Sequence, residues 1–172
     1  MPAAAHRGCQ GHARYSLKQF SESESRSVKA LSVELARLVE TTEARFLEIG
    51  EADSRTPIRP GGWSRKQVMG HLIDSASNNH QRFVRAALQG SLEFPGYDQE
   101  GCVRVQDVQE MPWPGLVALW ASYNRYLAHI VANLPEDALQ AQCRIGSSEP
   151  VTLQFLCEDY LVHLVHHLQQ MR

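Results

Sequence analysis

Three histidines stand in one helical stretch near the C-terminus, Tyr160-Leu161-Val162-His163-Leu164-Val165-His166-His167-Leu168. A helix turns about 100° per residue, so His163 and His167 lie one above the other on the same face. Two imidazoles at that spacing can grip one metal ion from a single helix. A third candidate, His71, belongs to a separate helical stretch, Gly70-His71-Leu72-Ile73-Asp74. If the two helices pack together, the rings converge and leave at least one coordination position open, which distinguishes catalytic sites from closed structural ones. An open zinc-like ion lowers the pKa of bound water towards 7. It can equally hold a substrate thiol as the nucleophilic thiolate.

The competing reading is that these are polar residues of a bundle core, each satisfied by ordinary hydrogen bonds. Burying three imidazoles together without partners costs on the order of 1–3 kcal/mol each, a penalty that a divalent ion removes. The apolar stripe of the last helix, Leu153, Leu156, Cys157, Tyr160, Leu164, Leu168 and Met171, has His163 and His167 at one margin. His166 projects away from that stripe, towards solvent or a partner. Asp159, one turn before His163, could orient its ring, and Asp74 could do the same for His71; both could equally be exposed helical carboxylates. His80 and His129 read as surface or structural residues. His6, Cys9 and His12 are read as part of a solvated tail. The His-Glu-x-x-His protease signature is absent, because Leu164, Val165 and His166 separate the paired histidines.

The elements that must position these rings are helices. The 172 residues suffice for one domain with a substantial core. Residues 1–24 are polar and are expected to form a flexible arm, and 25–172 the folded domain. Apolar residues three and four apart predict helices over about 26–49, 65–88, 116–133 and from Thr152 to the end. Ser64 and Gln67 make a capping box for the second helix, and Gly90 ends it. Residues 91–112 show no sustained period; a connection this long can carry the chain the full length of a bundle. A short hairpin is expected around Gly146 and Pro150. Four amphipathic helices with little strand between them indicate an all-α four-helix bundle.

Composition narrows the function. Hydrophobic residues make up 43% and charged residues 21%, with a net charge of −2 and no basic stripe, which argues against nucleic-acid binding. Four cysteines without a Cys-x-x-Cys pair fit reduced thiols in a cytoplasmic protein. No apolar run is long enough to cross a bilayer, and the opening residues lack the apolar core of a signal peptide.

Gly62-Trp63-Ser64, Val68-x-x-His71-Leu72-x-Asp74 and His163-x-x-His166-His167-x-x-Gln170, with Arg82-Phe83 and Pro95-Gly96-Tyr97-Asp98, resemble the DinB-like superfamily, especially its YfiT-like branch. The resemblance covers the chain from about residue 26. It implies an up-down-down-up four-helix bundle with a long connection between helices two and three. It also implies a divalent ion, often nickel or zinc, on His71, His163 and His167, and a homodimer. Relatives are described as metal-dependent hydrolases, and others look like transferases or isomerases that use a low-molecular-weight thiol. The expectation is therefore a metal-dependent enzyme acting on a small molecule. Thiol transfer, with a bacillithiol, mycothiol or glutathione type of partner, is placed ahead of hydrolysis. Tyr97 and Asp98 are candidate substrate contacts or loop-packing residues. The alternative is a stress-associated bundle that binds metal or ligand without turnover.

Overall fold

The helices begin where side chains can answer their unpaired backbone N–H groups. In a computed structural model, which describes residues 26–172, Ser27 caps α1 (Val28–Leu47) by accepting from the Ala30 N–H. The expected arm, with His6, Cys9 and His12, lies outside the described residues. A five-residue helix, α2 (Glu51–Arg55), precedes α3 (Arg65–Gln89). Both halves of the Ser64–Gln67 capping box form, and Gly90, at φ 73°, closes α3 in a conformation that costs glycine no side-chain clash. Helix α5 (Trp113–Ala132) starts with Pro114 in its first turn, where a missing N–H is harmless. Helix α6 (Leu153–Gln170) is capped by Thr152.

Side-chain contacts fix the directions. Ser32 and Phe46 of α1 meet Ala128 and Trp113 of α5, in reverse order, so those helices are antiparallel. Lys66 lies by the entry to α5 and His80 by Tyr123, so α3 and α5 run parallel. His71 meets His163 while Phe83 meets Tyr160, so α3 and α6 are antiparallel. The result is an up-down-down-up bundle whose centre holds Phe46, Phe83, Trp113, Trp120, Leu127 and Leu164, all fully buried or nearly so. Two buried polar side chains there are paired, the Tyr160 hydroxyl donating to Asn124 Oδ1 at 2.6 Å and Asn124 donating to the Trp120 carbonyl, whereas the Trp120 indole N–H is buried without a hydrogen-bond partner.

The connection over 91–112 is more ordered than its lack of period suggests. It contains β1 (Ser91–Phe94), α4 (Gln99–Gln106) and a 3₁₀ turn, Val108–Glu110. Strand β1 pairs in parallel with β2 (Gln142–Ile145), about fifty residues away, and β2 pairs antiparallel with β3 (Val151–Thr152), the short hairpin expected from Gly146 and Pro150. A parallel pairing between two distant connections leaves no local signature. Helix α5 starts three residues before the expected 116, because Pro112 and Pro114 belong to its cap and first turn. No helix among the described residues is long and apolar enough to cross a membrane.

Two features set where His71 sits. Lys66, five residues earlier, is fully buried and donates to the Glu51 carboxylate and to the carbonyls of Gln109 and Met111. The same carboxylate accepts from the Trp113 backbone N–H, so one acidic group ties α2, α3 and the start of α5. Gly70 lets Val108 approach α3: a Cβ at residue 70 would lie 2.8 Å from Val108 Cγ1. Gly70→Ala is therefore expected to destabilise the fold by about 1–3 kcal/mol in urea unfolding. The Lys66 and Trp113 hydrogen bonds hold the Glu51 carboxyl down at about 2, against 4.5 ordinarily. A carboxyl lowered by folding adds stability that is complete above its unfolded value and is lost as pH falls through its folded one. Melting of the wild type against Glu51→Gln should show an advantage that is full above pH 4.5 and shrinks towards pH 2.

Candidate metal centre

The α3–α6 seam brings His71, His163 and His167 together. His71 projects from one wall, and the four-residue spacing on α6 stacks the other two opposite it. His71 and His167 are buried and His163 is half-buried. The ring centroids lie 5.2 Å (71–163), 4.7 Å (71–167) and 4.6 Å (163–167) apart. His71 Nε2 is 3.2 Å from His163 Nε2, and one nitrogen from each ring falls within 4.8 Å of the others. Bonds of about 2.1 Å around a tetrahedral ion put neighbouring nitrogens roughly 3.4 Å apart, so small ring rotations close the set on a cation. Three neutral nitrogen donors and no carboxylate suit a borderline ion such as zinc or nickel.

The residues around the rings differ from those expected. Asp74 does not steady His71: its Oδ1 accepts from Gln106 Nε2 at 2.7 Å, which ties α4 to α3. Asp159 stands beside Arg82 rather than on the ring of His163. The group facing that ring is Ser75, whose Oγ lies 3.5 Å from His163 Nδ1, and the Trp63 ring packs 5.5 Å from that of His71. Ser75 is four residues after His71, so the same helical spacing that paired the histidines could have pointed to it. His166 sits half-buried beside His167 and bonds Gln170 at 2.8 Å. His80 contacts the Tyr123 hydroxyl at 3.1 Å, a structural role, while His129 is exposed. Asp98 caps α4 by accepting from the Gly101 N–H, the loop-packing alternative.

Charge near the seam is arranged unevenly. Burial pushes the Tyr97 hydroxyl up to about 12; like any tyrosine it is uncharged at neutral pH, and the shift extends that state further into the alkaline range. Partial burial also raises the Asp159 carboxyl, and the Arg82 charge opposes that rise. The described cysteines are not primed as nucleophiles: burial pushes Cys157 up to about 12 and raises Cys102 and Cys143.

A sequence model of the DinB superfamily matches residues 34–171. The chain belongs to the DinB superfamily. This DinB-superfamily chain is 26% identical over 135 residues to a Bacillus pumilus protein named "Putative metal-dependent hydrolase", covering 78% of this chain and 77% of that one. A Bacillus licheniformis protein similarly named is 24% identical over 163 residues, 92% and 93% of the two chains. Among solved structures, YfiT from Bacillus subtilis, described as "a probable metal-dependent hydrolase with an unusual four-helix bundle topology", matches with a TM-score of 0.77 at 23% identity. That match covers 88% of this chain and 87% of YfiT and shows the shared fold.

Ser75 gives the site its first test. Ser75→Ala removes the hydroxyl that faces His163 and is expected to weaken zinc or nickel binding about tenfold, measured by competition with a chromophoric chelator.

Proposed function

We propose that this chain is a metal-dependent enzyme acting on a small molecule, with a divalent ion held by His71, His163 and His167. The carrying observation is the convergence of three imidazoles from two antiparallel helices on one point. Such an ion is a Lewis acid that lowers the pKa of a nucleophile brought to it, whether water or a thiol. The chain's residues do the rest: Ser75 orients His163, Trp63 walls the His71 side, and Tyr97 offers a neutral hydroxyl near the seam.

Transfer from a low-molecular-weight thiol is the reading this arrangement supports best. The two carboxylates nearest the rings in sequence are placed elsewhere, Asp74 on Gln106 and Asp159 by Arg82. A thiol gives up its proton with less help from a base than water does. Burial raises the thiols of Cys102, Cys143 and Cys157, which favours a thiol supplied by a substrate over one of these three. Hydrolysis is the second reading, favoured by the names of the relatives.

The test loads the protein with zinc or nickel and offers an electrophile with bacillithiol, mycothiol or glutathione, alongside chromogenic esters and amides. Thiol consumption is expected, with removal of the metal by chelation abolishing it. His71→Ala should cost at least about a hundredfold in turnover while the helical circular dichroism and Tm are retained. Ester or amide cleavage without thiol loss assigns hydrolysis instead. A collapse of Tm in His71→Ala, with no turnover in the wild type, makes the metal structural and overturns the enzyme reading.

A further inference from the structure

Beyond the histidines, the same two helices carry a pair of opposite charges that the proposed chemistry does not use. Along α3 the row that begins at His71 continues through Ser75 and Asn79 to Arg82, each step bridging one turn. Along α6 the row from His167 through His163 continues to Asp159. Phe83 and Tyr160, the next residue on each helix, pack across the seam with ring centroids 6.1 Å apart, so Arg82 and Asp159 flank the same stretch of it.

Neither charge is neutralised by contact. No carboxylate among the described residues lies within ion-pair distance of Arg82, which donates one long hydrogen bond, 3.4 Å, to Asn79 Oδ1. The Arg82 Nε is buried with no hydrogen-bond partner. The guanidinium sits over the Phe94 ring, 5.4 Å from its centroid, a contact that uses its face and none of its N–H donors. Asp159 accepts no hydrogen bond from any described residue, and its field and that of Arg82 act on each other without touching. Desolvating a guanidinium without satisfying it is costly, and planar carboxylates are what its fork fits. An anion alone would meet repulsion from Asp159, and a cation alone from Arg82.

We propose that Arg82 and Asp159 form a recognition site for a zwitterion of the amino-acid type, Arg82 taking the carboxylate and Asp159 the ammonium. It deepens the reading of the three histidines as the reacting end and names the class of substrate: one whose reactive group is linked to an α-amino acid head. Arg82 is eleven residues past His71, and long helical side chains lean back towards the N-terminus. The head and the reactive group are therefore on the order of 10 Å apart.

The test uses three probes on both metal-free and zinc-loaded protein: L-norleucine, L-norleucinamide, which lacks the carboxylate, and hexanoate, which lacks the ammonium. Calorimetry or NMR titration should show norleucine binding at least about tenfold more tightly than either of the others. Arg82→Gln should erase the preference over the amide, and Asp159→Asn the preference over hexanoate, with Tm retained. Equal binding of the three probes, no binding of norleucine, or preferences unchanged in the variants overturns the proposal. If either variant fails to fold, the three-probe comparison on the wild type decides. Because the pair lies outside the three histidines, norleucine selectivity in a protein that takes up no metal would sink the enzyme reading and leave this one standing. Turnover without norleucine selectivity would do the reverse.

Discussion

The antiparallel contact between α3 and α6 is the constraint on which everything else rests. Bundle helices stay together by burying apolar faces, yet this seam buries two imidazoles and half-buries a third in the middle of that contact. The seam must therefore be held in register by interactions on either side. At one end Lys66 is locked into Glu51 and two backbone carbonyls; at the other, Phe83 packs on Tyr160, whose hydroxyl is anchored to Asn124 of α5. Between these fixed points the three rings have little freedom to drift apart.

The same arrangement separates two kinds of polar group. Lys66, Glu51, Asn124 and Tyr160 are satisfied within the protein, and removing one partner strands another. Arg82 and Asp159 have almost no internal partners. Satisfied groups build a scaffold, whereas unsatisfied ones at the rim of a seam await something from outside.

Much of this was legible in the residues. Four amphipathic periods, the Ser64–Gln67 box and Gly90 placed the long helices, because local hydrogen bonding and the 3.6-residue repeat leave a local record. The spacing of His163 and His167 placed two rings on one face and His71 was the third candidate from a separate helix; the structure brings it to them across the seam. The supports were harder to read. Asp74 looked like a partner for His71, but Gln106, thirty-two residues on, claims it. Burial of Lys66 runs against its type and depends on Glu51, fifteen residues earlier, and on carbonyls more than forty residues later. Strand β1 gave no signal because its partner is about fifty residues away. What escaped was nonlocal pairing of polar groups, which no periodicity encodes.

The parallel pairing of β1 with β2 has a corollary for loop length. Phe94, the last residue of β1, carries Arg82 on its ring and gives its carbonyl to the Gly146 N–H, while Ala141, just before β2, accepts from Leu153 at the first turn of α6. Neither crossover can lengthen or shorten at its paired residues without dragging the other along. Changes in loop length are thus cheapest in the stretches 95–98 and 147–150, which lie outside the paired strand residues.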